Sequence, residues 1–374
     1  MTPKRTLYRL PLLAFGIFAL FSGLWGGLLR LGFSLPLLRP AVAIFHGPLM
    51  VSGFLGTLIG LERAVAIGKP WAYGVPVLSL LGALALILGL PKEAGALLMT
   101  LSGLILVVVF VSVYLHQPTL FTLTMGLGAM VWLAGNLLWL GKMPVDHLVL
   151  WWAGFLVLTI AGERLELARL GNLSGIAGKT FQAAIGLLLG GLAVTLFSFD
   201  SGVRLTGIGL IALSLWLLTY DIARRTVRQT GLTRFIAVSL LLGHLWLGAA
   251  GLIALSFGGV TGGFSYDALL HSIFLGFVFS MIFGHAPVIF PAILGIPLAY
   301  HPRFYAHLGL LHLTLLIRVG SDLTGWEPGR MWGGLFNVLV ILLFLANTLY
   351  AILSNLNLRQ SHQADHNPKS HPPN

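Results

Sequence analysis

The sequence predicts an all-α polytopic membrane protein with about twelve transmembrane helices. Two observations carry that prediction. First, 57% of the 374 residues are hydrophobic and only 9% are charged, a balance no soluble domain shows. Second, the apolar residues fall into long runs broken by Pro, Gly and charge, each long enough to cross a bilayer of ordinary thickness. A third observation narrows the chemistry. The chain has no cysteine, so disulfides, thiolate metal sites, iron–sulfur clusters and c-type haem attachment are excluded within it. His, Met and carboxylates remain as ligands.

In chain order the expected spans are 8–29, 43–67, 72–90, 94–115, 119–141, 147–169, 180–198, 204–223, 234–257, 266–295, 303–322 and 331–354. The first follows Lys4, Arg5 and Arg9 without a small-x-small cleavage pattern, and reads as a membrane helix rather than a removed signal. The third is short. The tenth contains Pro287 and Pro291, and either can end it early. The expected organisation is a transmembrane domain over 1–356 and a polar, disordered, cytoplasmic tail over 357–374. That tail holds His362, His366 and His371 and reads as solvated.

The net charge of +11 does not require nucleic acid. Fifteen of the 22 Lys and Arg fall on one side of the membrane if the N-terminus is inside, with the largest basic patch between Arg224 and Arg234. This bias predicts that both termini face the cytoplasm. Trp139, Trp151, Trp152, Trp326 and Trp332 fall near span ends, as interfacial tryptophans do.

An ionisable residue inside a membrane span is costly and points to function. Such residues concentrate in spans two, six and ten. Span two carries His46 near its start and Glu62-Arg63 near its end, and span six ends with Glu163-Arg164. Span ten carries His271 near its start and His285 deeper. The spacing of four helices suggests three repeated four-helix arcs, each turning its second helix inward. Spans two and ten run in the same direction, so His46 and His271 lie at similar depth. Two imidazoles at one level on facing helices suit axial ligation of a b-type haem; the bland alternative is a pair of interfacial histidines bonded to carbonyls. A second set, His244, His285, His307 and His312, lies at mid-depth or further in, and suits copper, another metal or a second haem, or else the capping of broken backbone. Glu62, Arg63, Glu163 and Arg164 read as structural pairs across helices, Glu62 with Arg164 or Glu163 with Arg63, or as a proton path.

The stretches His46-Gly-Pro-Leu-Met50-Val-Ser-Gly53-Phe54 and His271-x4-Gly276-x4-Met281 resemble the NnrS family, twelve-span bacterial haem- and copper-associated membrane proteins linked to nitric oxide stress. More distantly, they resemble the catalytic subunit of haem–copper oxidases. The resemblance implies three four-helix arcs and a low-spin haem held by histidines of the second and tenth helices, here His46 and His271. It also implies nitric oxide or an electron-transfer partner. The sequence departs from both patterns. The NnrS motif H-x-H-E-M finds Pro48 and Leu49 where the second His and the acid belong. The oxidase histidines of helices six and seven, and the His-x-His of helix ten, are missing. Oxygen reduction of the oxidase type is therefore not expected. The expected role is a haem-b protein in nitric oxide handling, redox sensing or electron transfer, set against a cofactor-free proton-coupled permease and a respiratory assembly protein.

Overall fold

A computed structural model describes residues 9–36, 40–169, 174–295 and 298–365. The described residues contain no strand, and twelve helices are long and apolar enough to span a membrane. They are α1 Arg9–Arg30, α2 His46–Ile67, α3 Pro70–Ile87, α4 Lys92–His116, α5 Leu120–Leu140 and α6 Val145–Ala168. The second six are α7 Gly175–Val194, α8 Phe199–Tyr220, α9 Gly231–Phe257, α10 Gly263–Ile293, α11 Phe304–Thr324 and α12, whose spanning part is Glu327–Ser354. An even number of spans among the described residues puts Arg9 and Ser354 at one face, here the near face; the opposite one is the far face.

The predicted spans match these helices, with two displacements. Helices α7 and α8 start at Gly175 and Phe199, five residues before the apolar stretches over 180–198 and 204–223. Polar residues interrupt the apolar pattern near both starts, Lys179-Thr180 in α7 and Asp200-Ser201 in α8, and hydropathy does not register what precedes them. Ser174 caps α7 by accepting from the Ala177 amide at 3.2 Å, which fixes the earlier start. The prolines of α10 do not end it. The helix continues through Pro287 and Pro291 to Leu294 and stops at Gly295, which takes the left-handed conformation with φ 70°. The last helix runs on to Asp365, so residues 357–365 of the expected disordered tail are helical. Residues 366–374, with His366 and His371, lie outside the described residues.

Each helix packs mainly on its neighbour in sequence, as short connections require. The chain thereby winds around a common interior, and α12 returns to touch α1. Helix α10 reaches α1, α2 and α6, while α6 also touches α7 and α8. Helices α6 and α10 are the most deeply enclosed of the twelve. Close crossings depend on glycine. A Cβ on Gly209 would stand 2.5 Å from the Leu188 amide, and one on Gly207 would stand 2.7 Å from the Gly251 carbonyl oxygen. Small residues of this kind let α7, α8 and α9 approach backbone to backbone, where apolar side chains alone give no preference over lipid.

The tryptophans divide. Trp326 and Trp332 are exposed at the far face, where an interfacial belt places them. Trp139 and Trp152 are instead inside the bundle. Trp152 donates to the Asn136 side-chain oxygen at 3.0 Å, and the Asn136 amide donates to the Met99 carbonyl at 3.1 Å. A buried indole is stable there because its one donor is satisfied.

Candidate functional site

Helices α2 and α10 share a feature that periodicity alone does not show. Both lose α-helical regularity just after their first histidine. Leu49–Gly56 in α2 and Ser272–Phe279 in α10 are π-helical, eight residues each. Such segments are uncommon and frequently lie at functional sites, where the wider turn re-aims side chains. Glycines sit where the wide turns meet large rings. A Cβ on Gly56 would come within 2.7 Å of the Trp132 ring, and one on Gly276 would collide with Trp246.

The two histidines at the heads of these segments come together near the far face. His46 Nδ1 donates to the Gly23 carbonyl of α1 at 2.6 Å, and its ring lies against Gly27, whose built Cβ would be 3.0 Å from Cε1. His271 Nδ1 donates to the Asp267 carbonyl at 2.9 Å and stands 3.3 Å from an Asp267 carboxylate oxygen. The two imidazoles are close enough to act on each other electrostatically. Among the described residues, Nε2 of neither ring has a hydrogen-bond partner, and each ring keeps accessible surface. With Nδ1 committed as donor, Nε2 is the atom that carries the lone pair. A charged layer surrounds the pair. Arg318 of α11 donates twice to Asp267, and Arg330 of α12 lies 3.7 Å from Asp267 and 3.4 Å from Asp322. Asp267, Arg318, Asp322 and Arg330 were not distinguished by their sequence neighbourhoods, which resemble ordinary helix ends.

The four other candidate histidines, His244, His285, His307 and His312, occupy four separate surroundings. His285 Nδ1 donates to the Met281 carbonyl at 2.8 Å. His307 is ringed by Phe235, Phe283, Phe304 and Phe344 and meets the Asn347 amide at 3.3 Å. His312 Nδ1 accepts from the Trp246 indole at 3.0 Å. His244 is fully buried beside Asp221. His307 and His312 stand on α11 but turn to different partners. Among the described residues, no three His, Cys or acidic side chains stand where they would share a metal ion.

At the near face, Arg63 of α2 donates to Glu163 of α6, one of the two cross-helix pairings that the sequence suggests. Glu62 lies 3.6 Å from the same guanidinium. Arg164 does not meet Glu62. Its partner is Asp221, with Nε at 3.8 Å from Oδ2, and His244 Nε2 approaches the same oxygen at 3.5 Å. Burial pushes the Asp221 carboxyl above the ordinary carboxylate value, and the nearby Arg164 pulls it back down. Asp221 escaped the sequence reading, although there was a signal. It is an acid directly after the apolar run of α8 and ahead of the basic loop, so it is the one residue there that a positive-inside loop does not account for.

The fold and these sites together define a polytopic α-helical membrane protein with a pair of anchored histidines near one face and a buried acid–base cluster near the other. More particularly, the chain matches the family described as a domain of unknown function, DUF8744, over residues 9–353, and belongs to it. No curated protein and no solved structure matches the chain.

Proposed function

We propose that the protein binds one haem b through His46 and His271 in a bacterial inner membrane, with both termini cytoplasmic, and serves electron transfer or nitric oxide handling. The observation that carries this reading is the matched pair of histidines. Both lie on inward-facing helices, both are anchored through Nδ1 to a backbone carbonyl, and both leave Nε2 unpaired at one level. Ligating imidazoles need that second bond to fix tautomer and ring plane. The residues present therefore fit axial ligation. The π-helical turns behind both histidines, and the glycines in them, support close approach of a flat group. When bound, haem supplies reversible one-electron chemistry. The chain's own part is to hold the two rings, to keep water out with the apolar walls of α2 and α10, and to offset charge with Arg30, Arg318 and Arg330 at the far face. The link to nitric oxide rests on the resemblance to the NnrS family.

A pyridine haemochrome assay on the purified protein tests the reading. One b-type haem per chain is expected, and a protein without haem after haem-supplemented expression overturns it. The near-face cluster favours a second reading, a proton-coupled permease, because buried Arg164, Asp221 and His244 suit a proton path. A permease purifies colourless.

A further inference from the structure

Two buried acid–base clusters stand toward opposite ends of the bundle, and they differ in their central acid: Asp267 is fully paired, although Asp322 and Arg330 beside it keep unpaired atoms, whereas Asp221 is not. At the far face, Asp267 receives Arg318 through both carboxylate oxygens, at 2.8 and 2.9 Å. That is the geometry of a structural pair, with parallel charge-assisted bonds. At the near face, Asp221 spends Oδ1 on the Ala223 amide at 2.9 Å. Its Oδ2 then faces His244 Nε2 at 3.5 Å and Arg164 Nε at 3.8 Å, both too long for hydrogen bonds. Asp221 Oδ2, Arg164 Nε and both ring nitrogens of His244 are buried without a hydrogen-bond partner. The side chains are almost wholly enclosed, at 0% exposure for Asp221 and His244 and 3% for Arg164. Four unpaired polar atoms in one small cluster are a net cost to the fold if they only hold helices together. A packed apolar contact does that more cheaply.

We infer that Asp221 and His244, with Arg164 as fixed counter-charge, form a proton-binding site supplied from the near face. One proton from near-face water adds to Asp221 Oδ2. The carboxylate becomes a neutral carboxyl, its O–H faces His244 Nε2, and the net charge of the cluster rises by one. Release reverses the step. Three helices supply the groups, so a change of protonation reaches all three: Arg164 from α6, Asp221 from the end of α8, and His244 from about 20 Å along α9 at 1.5 Å per residue. Other titratable groups frame it. His285 of α10 lies within electrostatic range of Arg164 and of Glu163. Glu163 is bonded to Arg63, which contacts Glu62, and these three keep 17% to 33% of their side-chain surface accessible. They stand at the same end of α6 as Arg164, next to it in sequence through Glu163. The upward displacement of the Asp221 carboxyl by burial agrees with this role. The site lies at the other end of the bundle from His46 and His271, and its existence does not depend on haem.

Infrared difference spectra of the purified full-length protein in H2O and D2O test it, taken as pH is stepped over the range in which the protein stays folded. A protonated-carboxyl component that titrates above the ordinary carboxylate value is expected, and that component is missing from the spectra of Asp221→Asn. In Arg164→Gln the band persists to higher pH, because the charge that favours the carboxylate is gone; a shift of at least about one unit is a tenfold change in proton affinity. Should Asp221→Asn fail to fold, His244→Gln keeps the carboxyl and moves the midpoint. Part-buried Glu62 and buried Asp322 are further carboxyls and contribute bands of their own, so the difference between the unaltered chain and Asp221→Asn is the readout. A carboxyl spectrum identical in the two, or a midpoint unmoved by both Arg164→Gln and His244→Gln, overturns the inference.

Discussion

Asp267 grips Arg318 with both carboxylate oxygens while its own carbonyl receives the Nδ1 proton of His271. One residue thus ties α10 to α11 and sets the orientation of a histidine one helical turn away. Breaking a buried pair leaves the other charge uncompensated, at a cost of about 3–5 kcal/mol. Arg318→Met is expected to destabilise by that order, read from thermal unfolding in detergent. The double variant Asp267→Asn with Arg318→Met is expected to lose less than the two single losses combined, since no strong ion pair is left half-made. Strict additivity would remove Asp267 from this role.

Gly276 carries no side chain because Trp246 of α9 occupies the space. Gly276→Ala forces the indole aside and breaks its bond to His312, so a loss of about 1–3 kcal/mol is expected from overpacking. Gly186 on α7 has nothing within 4 Å of a built Cβ. Gly186→Ala is expected to be neutral or slightly stabilising, since alanine favours a helix over glycine by about 0.5–1 kcal/mol. Melting temperatures of the two variants, compared side by side, check both statements.

The Arg63–Glu163 bond joins α2 to α6 near the near face. Glu163→Lys places two cations together in a half-buried setting and is expected to lower the melting temperature. Adding Arg63→Glu restores opposite charges and recovers a measurable part of the loss. No recovery in the double variant would mean that the contact carries no coupling energy.

The charge bias of the loops predicts that both termini face the cytoplasm. A reporter that folds and fluoresces only in the cytoplasm, fused after the C-terminus, is expected to be bright. The same reporter inserted between α11 and α12, beside Trp326, is expected to be dark. The reverse pattern would invert the orientation.

Much of the fold was legible because the bilayer makes it so. A span must be apolar for its whole crossing, and its ends must meet polar residues, so hydropathy found all twelve helices. It failed where polarity and helicity part company, around Lys179 near the start of α7, around Asp200 at the start of α8, and beyond Ser354 in α12. The depth match of His46 and His271 was also readable, because helix direction and rise per residue fix depth. Their anchors were not. Gly23 contributes only a carbonyl, and Asp267 resembles any acid at a helix start. The π-helical segments were hidden too, since their residues are as apolar as those of an ordinary span. The pairing of Arg164 with Asp221 depends on how α6, α8 and α9 pack, which no single helix encodes.

The most direct test of the central claim is the optical spectrum of the detergent-purified protein, air-oxidised and dithionite-reduced, for the unaltered chain and for His46→Ala and His271→Ala. The account predicts a reduced α-band of six-coordinate b-type haem in the unaltered chain. Each single variant should lose that band, while circular dichroism still reports a folded helical protein. A colourless protein, or a haem band that persists unchanged in both variants, would contradict it.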